Sequence, residues 1–233
     1  MGLKKGKITA STSFTDDVVE ITLETEENLD FKAGQFITIK VDDQVPPCFR
    51  AYSIASAPNK ENNEIKLCLK VVEGGRGSHW LESLKVDNEI NFIGPSGNFV
   101  FKGEKDKILF IATGTGITPF NSMIEDELKK GNSKKMHLLF GVRYIKNIFY
   151  KDFFDNLANQ YENFTYDIIL SRPEDDSWQG KTGRVTGILQ EIDLELENTE
   201  VYICGLKVMI SDVVEILKEK NFPEKQIHLE KYD

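Results

Sequence analysis

Apolar residues in the first hundred positions recur at every second place. Ile65, Leu67, Leu69 and Val71 alternate with Glu64, Lys66, Cys68 and Lys70, the period of a strand with one buried face. Val18, Val19, Ile21 and Leu23 mark an earlier β-branched segment, Phe36, Ile37, Ile39 and Val41 follow the turn at Gly34-Gln35, and residues 90–93 close the set. Short, evenly spaced strands with turn signals between them predict a small antiparallel barrel. Turn formers cluster at Gly94-Pro95-Ser96-Gly97-Asn98, and beyond the charged stretch 102–106 the pattern changes. Apolar runs at 108–112, 137–141, 164–170 and 201–204 now alternate with helical segments at 119–130, 151–160, 184–192 and 207–220. Strands separated by helices of this length predict parallel βαβ units with right-handed crossovers, a Rossmann-like arrangement. The boundary is expected near residue 103, giving domains 1–103 and 104–233.

Length agrees with two domains, since 233 residues allow each half its own core. No apolar run is long enough to span a bilayer, and the N-terminus has no signal-like apolar core. A cytoplasmic, monomeric protein without membrane insertion is therefore expected. The formal net charge of −9 opposes binding to nucleic-acid backbones and anionic membranes, so nucleic acid is not expected as a partner. The three cysteines, Cys48, Cys68 and Cys204, have no spacing for an iron–sulfur cluster or a zinc site. No metal is expected.

Several stretches suit a dinucleotide. Arg50 and Tyr52 share one face of a short strand and Ser53 turns to the other. A guanidinium beside a phenol can clamp a phosphate while the ring packs on a flat ligand; a barrel strand meeting solvent would read the same way. Gly74-Gly75-Arg76-Gly77-Ser78 precedes a short helix expected over 79–84. Its glycines let the backbone approach an anion, and Ser78 can cap the helix. An ordinary glycine turn is the plain alternative. Thr113-Gly114-Thr115-Gly116 follows a buried run and leads into a helix with Pro119 in its first turn, where the missing N–H costs nothing. Cys204-Gly205 ends another strand at the same sheet edge, where α/β sheets bind ligands, although a thiol on a strand can be simple packing.

Together with Glu230-Lys231-Tyr232, these stretches resemble the ferredoxin–NADP(+) reductase superfamily over nearly the whole chain. The resemblance implies a two-domain β plus α/β protein: a six-stranded antiparallel FAD-binding barrel, then a Rossmann-like parallel-sheet domain for NAD(P), with no fused 2Fe–2S domain. It implies that Arg50 pairs with the FAD pyrophosphate, Tyr52 packs on the flavin, Ser53 bonds near N5, and Val71, Gly75, Gly77 and Ser78 hold the rest of the cofactor. Thr113, Gly114, Thr115, Gly116, Pro119, Gly205 and Met209 would receive the nicotinamide dinucleotide, with Cys204 as a positioning group beside the nicotinamide. Ser171 and Arg172 would read the adenosine ribose, where an arginine suits the 2′-phosphate of NADPH better than NADH. Arg143, Lys181 and Arg184 would help there or remain solvated cations. Glu230 and Tyr232 would lie near the flavin, and Ser53, Cys204 and Glu230 form the expected catalytic set. Ala51 and Leu206 stand where many relatives have proline, and Asp233 extends one residue beyond the aromatic.

The implied activity is hydride transfer from NADPH or NADH to FAD, followed by electron delivery to a separate ferredoxin, flavodoxin, cytochrome or oxygenase component. A free-flavin reductase using a small-molecule acceptor, and an electron-transfer or non-catalytic subunit of a larger complex, are the alternative readings.

Overall fold

The structure, a computed structural model, describes residues 2–42, 45–59, 61–174 and 177–232. Period-two alternation becomes six antiparallel strands: β1 (Lys4–Ser13), β2 (Val18–Thr25), β3 (Phe36–Val41), β4 (Cys48–Ser53), β5 (Glu64–Lys70) and β6 (Glu89–Ser96). They pair in the order β4-β3-β6-β1-β2-β5. A bridge between Ile54 and Leu67 joins the two outer strands, so the sheet closes on itself. Ile8, Leu23, Ile37, Ile39, Leu67 and Phe92 are among the fully buried residues of its interior. Helix α1 (Arg76–Ser83) lies between β5 and β6 in the chain.

The pattern of apolar positions gives no sign of β1, and the reason is visible. Its sequence KKGKITASTS places Gly6 and Ile8 as its buried residues, and a register shift falls between Ile8 and Ala10. The strand is held by ladders to β2 on one side and β6 on the other, not by an apolar face of its own.

The second half forms a six-stranded parallel sheet from β7 (Lys107–Thr113), β8 (Lys135–Val142), β9 (Phe164–Leu170), β10 (Lys181–Thr182), β11 (Thr199–Leu206) and β12 (Ile227–Tyr232). Their order is β10-β9-β8-β7-β11-β12. The chain steps outward from β7 through β8 and β9 to β10, then returns to place β11 on the other flank of β7. The topology therefore reverses between β7 and β11, where open α/β sheets form a ligand crevice at the carboxyl ends of their strands. Helices α2 (Thr118–Lys129), α3 (Lys151–Gln160), α4 (Val185–Glu191) and α5 (Lys207–Glu219) complete the βα alternation. Leu109, Ile111, Leu139, Val201, Ile203 and Val213 belong to one continuous core against α4 and α5.

The chain divides into two compact units, Met1–Phe101 with Thr118–Asp126, and Lys102–Ile117 with Glu127–Asp233. The early turns of α2 thus count with the barrel, where Ser122 donates to the Ser56 carbonyl at 2.7 Å and Glu125 accepts the Ala57 N–H at 3.2 Å. In the second unit the Tyr202 hydroxyl accepts the Lys102 N–H at 2.8 Å, and the buried Glu200 carboxylate accepts the Glu104 N–H at 2.9 Å. Burial pushes the Glu200 carboxyl up, but bonds from His228, Tyr202 and that N–H outweigh it and hold it below the ordinary range. No helix among the described residues is long and apolar enough to cross a membrane.

Candidate functional site

Each unit carries its own constellation. In the first, strand alternation sets Arg50 and Tyr52 on one side of β4, and α1 begins directly against them. A Cβ on Gly77 would lie 2.8 Å from Arg50 Cγ, 3.2 Å from the Tyr52 hydroxyl and 3.3 Å from Val41 Cγ2. Only glycine lets the first turn of the helix come this close to the strand. Arg50 is exposed, donates to its neighbour's carbonyl, Phe49 O, at 2.8 Å, and has no acidic partner among the described residues. Burial pushes the Tyr52 phenol up to about 12, so the ring is neutral. Ser53 is buried on the opposite side of the strand.

Two details differ from expectation. The helix starts at Arg76, not near 79, and Gly75 is its N-cap with no side-chain cap bond. Ser78 does not cap it. Its Oγ accepts the Val72 N–H at 3.0 Å and donates to the Gly75 carbonyl at 3.2 Å, stapling the glycine-rich turn. The Gly75 N–H donates to Val72 O at 2.8 Å, and a Cβ on Gly75 would sit 2.8 Å from both Ser78 Oγ and Val72 O. A capping side chain would occupy the helix mouth; the staple leaves that mouth without one, and the first-turn N–H groups of a helix are the donor set an anion needs. The Val71 N–H is taken by Asp17 O at 2.7 Å.

In the second unit β7 ends at Thr113 and turns through a short 3₁₀ segment, Gly114–Ile117, into α2. Gly114 has a positive φ of 54°. A Cβ on Gly116 would lie 2.4 Å from the Cys204 carbonyl oxygen, and one on Gly205 2.5 Å from Thr113 Oγ1 and 2.8 Å from Met209 Cε. These glycines bring the ends of β7 and β11 together at the crevice, with Met209 packed over Gly205. Pro119 is buried in the first turn of α2. Register pairs Cys204 with Glu230 and Leu206 with Tyr232 on β12, which places the terminal acid and aromatic in an ordered strand; Asp233 lies outside the described residues.

The electrostatics there are unusual. Burial holds the Cys204 thiol well above its ordinary range, reinforced by Glu230 and opposed by a hydrogen bond with Tyr232. It is a neutral thiol. Burial also lifts the Glu230 carboxyl to about 7. Thr113 Oγ1 and Glu230 Oε2 are buried yet have no hydrogen-bond partner among the described residues. Unpaired buried polar atoms are costly, and two at the carboxyl ends of β7 and β12, the strands on either side of β11, suit polar ligand groups that complete them.

At the far side of the same edge, backbone bonds gather three arginines. The Arg172 N–H donates to Arg143 O at 2.9 Å, the Ser171 N–H to Val142 O at 3.0 Å, and the Gly183 N–H to Leu170 O at 2.9 Å. Arg143, Arg172 and Arg184 are exposed, and among the described residues none has an ion-pair partner. Lys181 is different: Asp167 binds it at 2.7 Å.

Comparison with known proteins agrees with both halves. Residues 5–101 match the family model of the oxidoreductase FAD-binding domain, and residues 110–215 that of the oxidoreductase NAD-binding domain. Ferredoxin–NADP reductase B of Sorangium cellulosum is 37% identical over 211 residues, covering 87% of this chain and 86% of the relative. The chain belongs to the ferredoxin–NADP reductase family. It is an NAD(P)H-dependent flavoprotein oxidoreductase, with FAD as cofactor and a nicotinamide nucleotide as the second ligand. Other members are longer. The chain spans 60% of the phenol hydroxylase P5 protein of Acinetobacter pittii, at 31% identity, and 55% of a component of the Na(+)-translocating NADH-quinone reductase of Neisseria meningitidis, at 33%; these matches cover 91% of this chain. Among solved structures, a ferredoxin NADP+ reductase from Neisseria gonorrhoeae with bound FAD and NADP has the same fold, with a TM-score of 0.87 at 20% identity over 99% of both chains.

The residues present fit both groups that the family implies. The Gly77 cradle, the unpaired Arg50 and the uncapped first turn of α1 suit a pyrophosphate, while the close-packed glycines and unpaired Thr113 and Glu230 oxygens suit a flat polar ring at the crevice. Arg172 as a nucleotide contact, and Arg143 and Arg184 as helpers or solvated cations, are readable in the sequence; the backbone bonds that make the three neighbours are not, because they join separate strand ends.

Proposed function

We propose that this family member oxidises NADPH in preference to NADH and delivers the electrons to a separate one-electron carrier protein of the ferredoxin type. The observation that carries the nucleotide preference is the trio Arg143, Arg172 and Arg184, exposed and unpaired among the described residues in a chain of net charge −9. Three exposed cations carried by neighbouring strand ends suit an anion, and a ribose 2′-phosphate supplies one that NADH lacks. Ser171, at the end of β9, adds a hydroxyl for the ribose.

Bound FAD supplies the two-electron acceptor that also releases electrons singly. The chain's own residues orient and insulate. Arg50 and the first turn of α1 would hold the pyrophosphate, Tyr52 would pack beside the flavin, and Ser53 would bond near its reactive edge. Gly116 and Gly205 would admit the nicotinamide, and the unpaired Thr113 and Glu230 oxygens would accept hydrogen bonds from the bound nucleotide. Cys204, a neutral thiol, positions the ring and does not attack it. A ferredoxin-type acceptor is supported by the relative named ferredoxin–NADP reductase B, of which this chain covers 86%.

The test is the visible spectrum of the purified protein, followed anaerobically as NADPH or NADH is added. Flavin bands that bleach faster with NADPH, followed by reoxidation on adding a ferredoxin but not on adding free flavin, are expected. Equal bleaching by both nucleotides would remove the specificity reading, and reoxidation by free flavin alone would replace the carrier with a small-molecule acceptor.

A further inference from the structure

The glycine-rich turn holds a second guanidinium, and it does a different job from Arg50. Arg76 donates through Nε to Asp42 Oδ2 at 2.9 Å and through Nη2 to Asp42 Oδ1, a two-point fork, while Nη1 reaches the Pro46 carbonyl at 3.4 Å. The Asp42 side chain is only 14% exposed. Arg76 is the first residue of α1, and Asp42 and Pro46 belong to the connection between β3 and β4. One side chain therefore ties the start of the helix to the chain that leads into the strand of Arg50 and Tyr52. Its charge is matched by Asp42, so it is not the phosphate ligand that its place in the turn suggests.

We propose that the Asp42–Arg76 pair is a positioning latch that makes the flavin site selective for FAD over FMN. The inference rests on the assignment of Arg50 and the first turn of α1 to the pyrophosphate. That pair of anchors comes from two elements, a strand and a helix of eight residues with no side-chain cap and no acidic residue in its first turn. Gly77 touches Arg50 and Tyr52 by packing alone. The Ser78 staple orders the turn internally but does not fix it to the barrel. The latch fixes it to the end of β3, whose ladder holds β4. A ligand with two phosphates bridges both anchors and gains from having their separation set beforehand, whereas a ligand with one phosphate is held by one anchor and gains nothing. A charge-assisted fork is the rigid link such preorganisation requires.

The backbone offers a clean probe. Asp42 has a φ of 43°, in the left-handed region that Asn also tolerates, so Asp42→Asn keeps the fold of the connection and removes the charge. Full-length apoprotein would be titrated with FAD and, separately, with FMN, following flavin fluorescence. The wild type is expected to bind FAD more tightly than FMN. Asp42→Asn should weaken FAD binding about tenfold and leave FMN binding unchanged within about twofold. Arg76→Lys, which keeps the charge but loses the fork, should do the same. Equal weakening of both flavins, as a general loss of structure would produce, or no weakening of FAD, overturns the latch. A wild type that binds both flavins equally overturns the pyrophosphate assignment itself.

Discussion

The cradle proposed for the flavin and the edge proposed for the nicotinamide would solve the same problem, holding a dinucleotide, in opposite ways. In the cradle the polar groups around the anion site are already engaged with each other. Ser78 staples Val72 to Gly75, Arg76 is forked by Asp42, and among the described residues Arg50 and the first turn of α1 remain for the ligand. At the nicotinamide edge the groups are left incomplete: Thr113 Oγ1 and Glu230 Oε2 lack partners among the described residues, and three arginines stand without acids. A preorganised site binds tightly because little ordering remains to be done. An incomplete one carries a standing penalty that a ligand relieves, which suits a substrate that comes and goes. On the proposed assignment, one region suits a resident cofactor and the other suits exchange.

The contrast can be broken most severely at Gly116. Its missing Cβ would meet backbone, not a flexible side chain, at 2.4 Å, so Gly116→Ala should cost about 3 kcal/mol or more and abolish nucleotide binding. A thermal melt and a titration with NADP+ would show both. Next is the cradle. Arg50→Ala removes an unpaired cation and should weaken FAD about 100-fold, read as flavin lost on dilution; unchanged flavin content would mean that the site holds its ligand without that charge. Smaller, and confined to one substrate, is Arg172→Ala. The KM for NADPH should rise about tenfold with NADH unaffected, and equal losses for both would sever the trio from the 2′-phosphate.

The smallest effect concerns a carboxyl and has a sign that sharpens the comparison. Glu230 is lifted by burial from an ordinary 4.5 to about 7. A raised carboxyl favours the folded state when protonated, so its contribution is complete below 4.5 and is lost as pH rises through about 7. Glu230→Gln should therefore stabilise the protein above that range by about 1–2 kcal/mol, allowing for partial exposure, with the advantage gone in acid. Glu200, nearer the start of β11 and fully partnered, has the opposite sign. Held below its ordinary 4.5, its contribution is present above that value and lost as pH falls through its lowered one. Melting curves of Glu230→Gln and Glu200→Gln across pH should diverge in opposite directions.

Most strands were legible because their apolar positions carry the period. Ile65, Leu67 and Leu69 alternate, and 108–112 reads as a buried parallel strand, since both kinds of burial leave a trace in the chain itself. β1, β10 and β12 left none: β1 is polar outside Gly6 and Ile8, β10 is two residues long, and β12 is a half-exposed edge. Those strands exist because neighbours offer them a ladder. Among site residues, Arg50, Gly77, Gly116 and Cys204 were readable from short motifs in order. The partners that decide their roles were not, because Asp42 is 34 residues from Arg76 and no local pattern pairs them.

What the sequence determined by itself was the architecture of the two halves and the short stretches that meet a dinucleotide, because periodicity, glycine placement and strand ends are properties of neighbours in the chain. What only the tertiary structure decided was which charges are free. Arg76 and Lys181 are as cationic in the sequence as Arg50 and Arg172, yet Asp42 and Asp167 neutralise the first two. A charge becomes available for a ligand only when folding brings no opposite charge to it, and that depends on residues far apart in the chain.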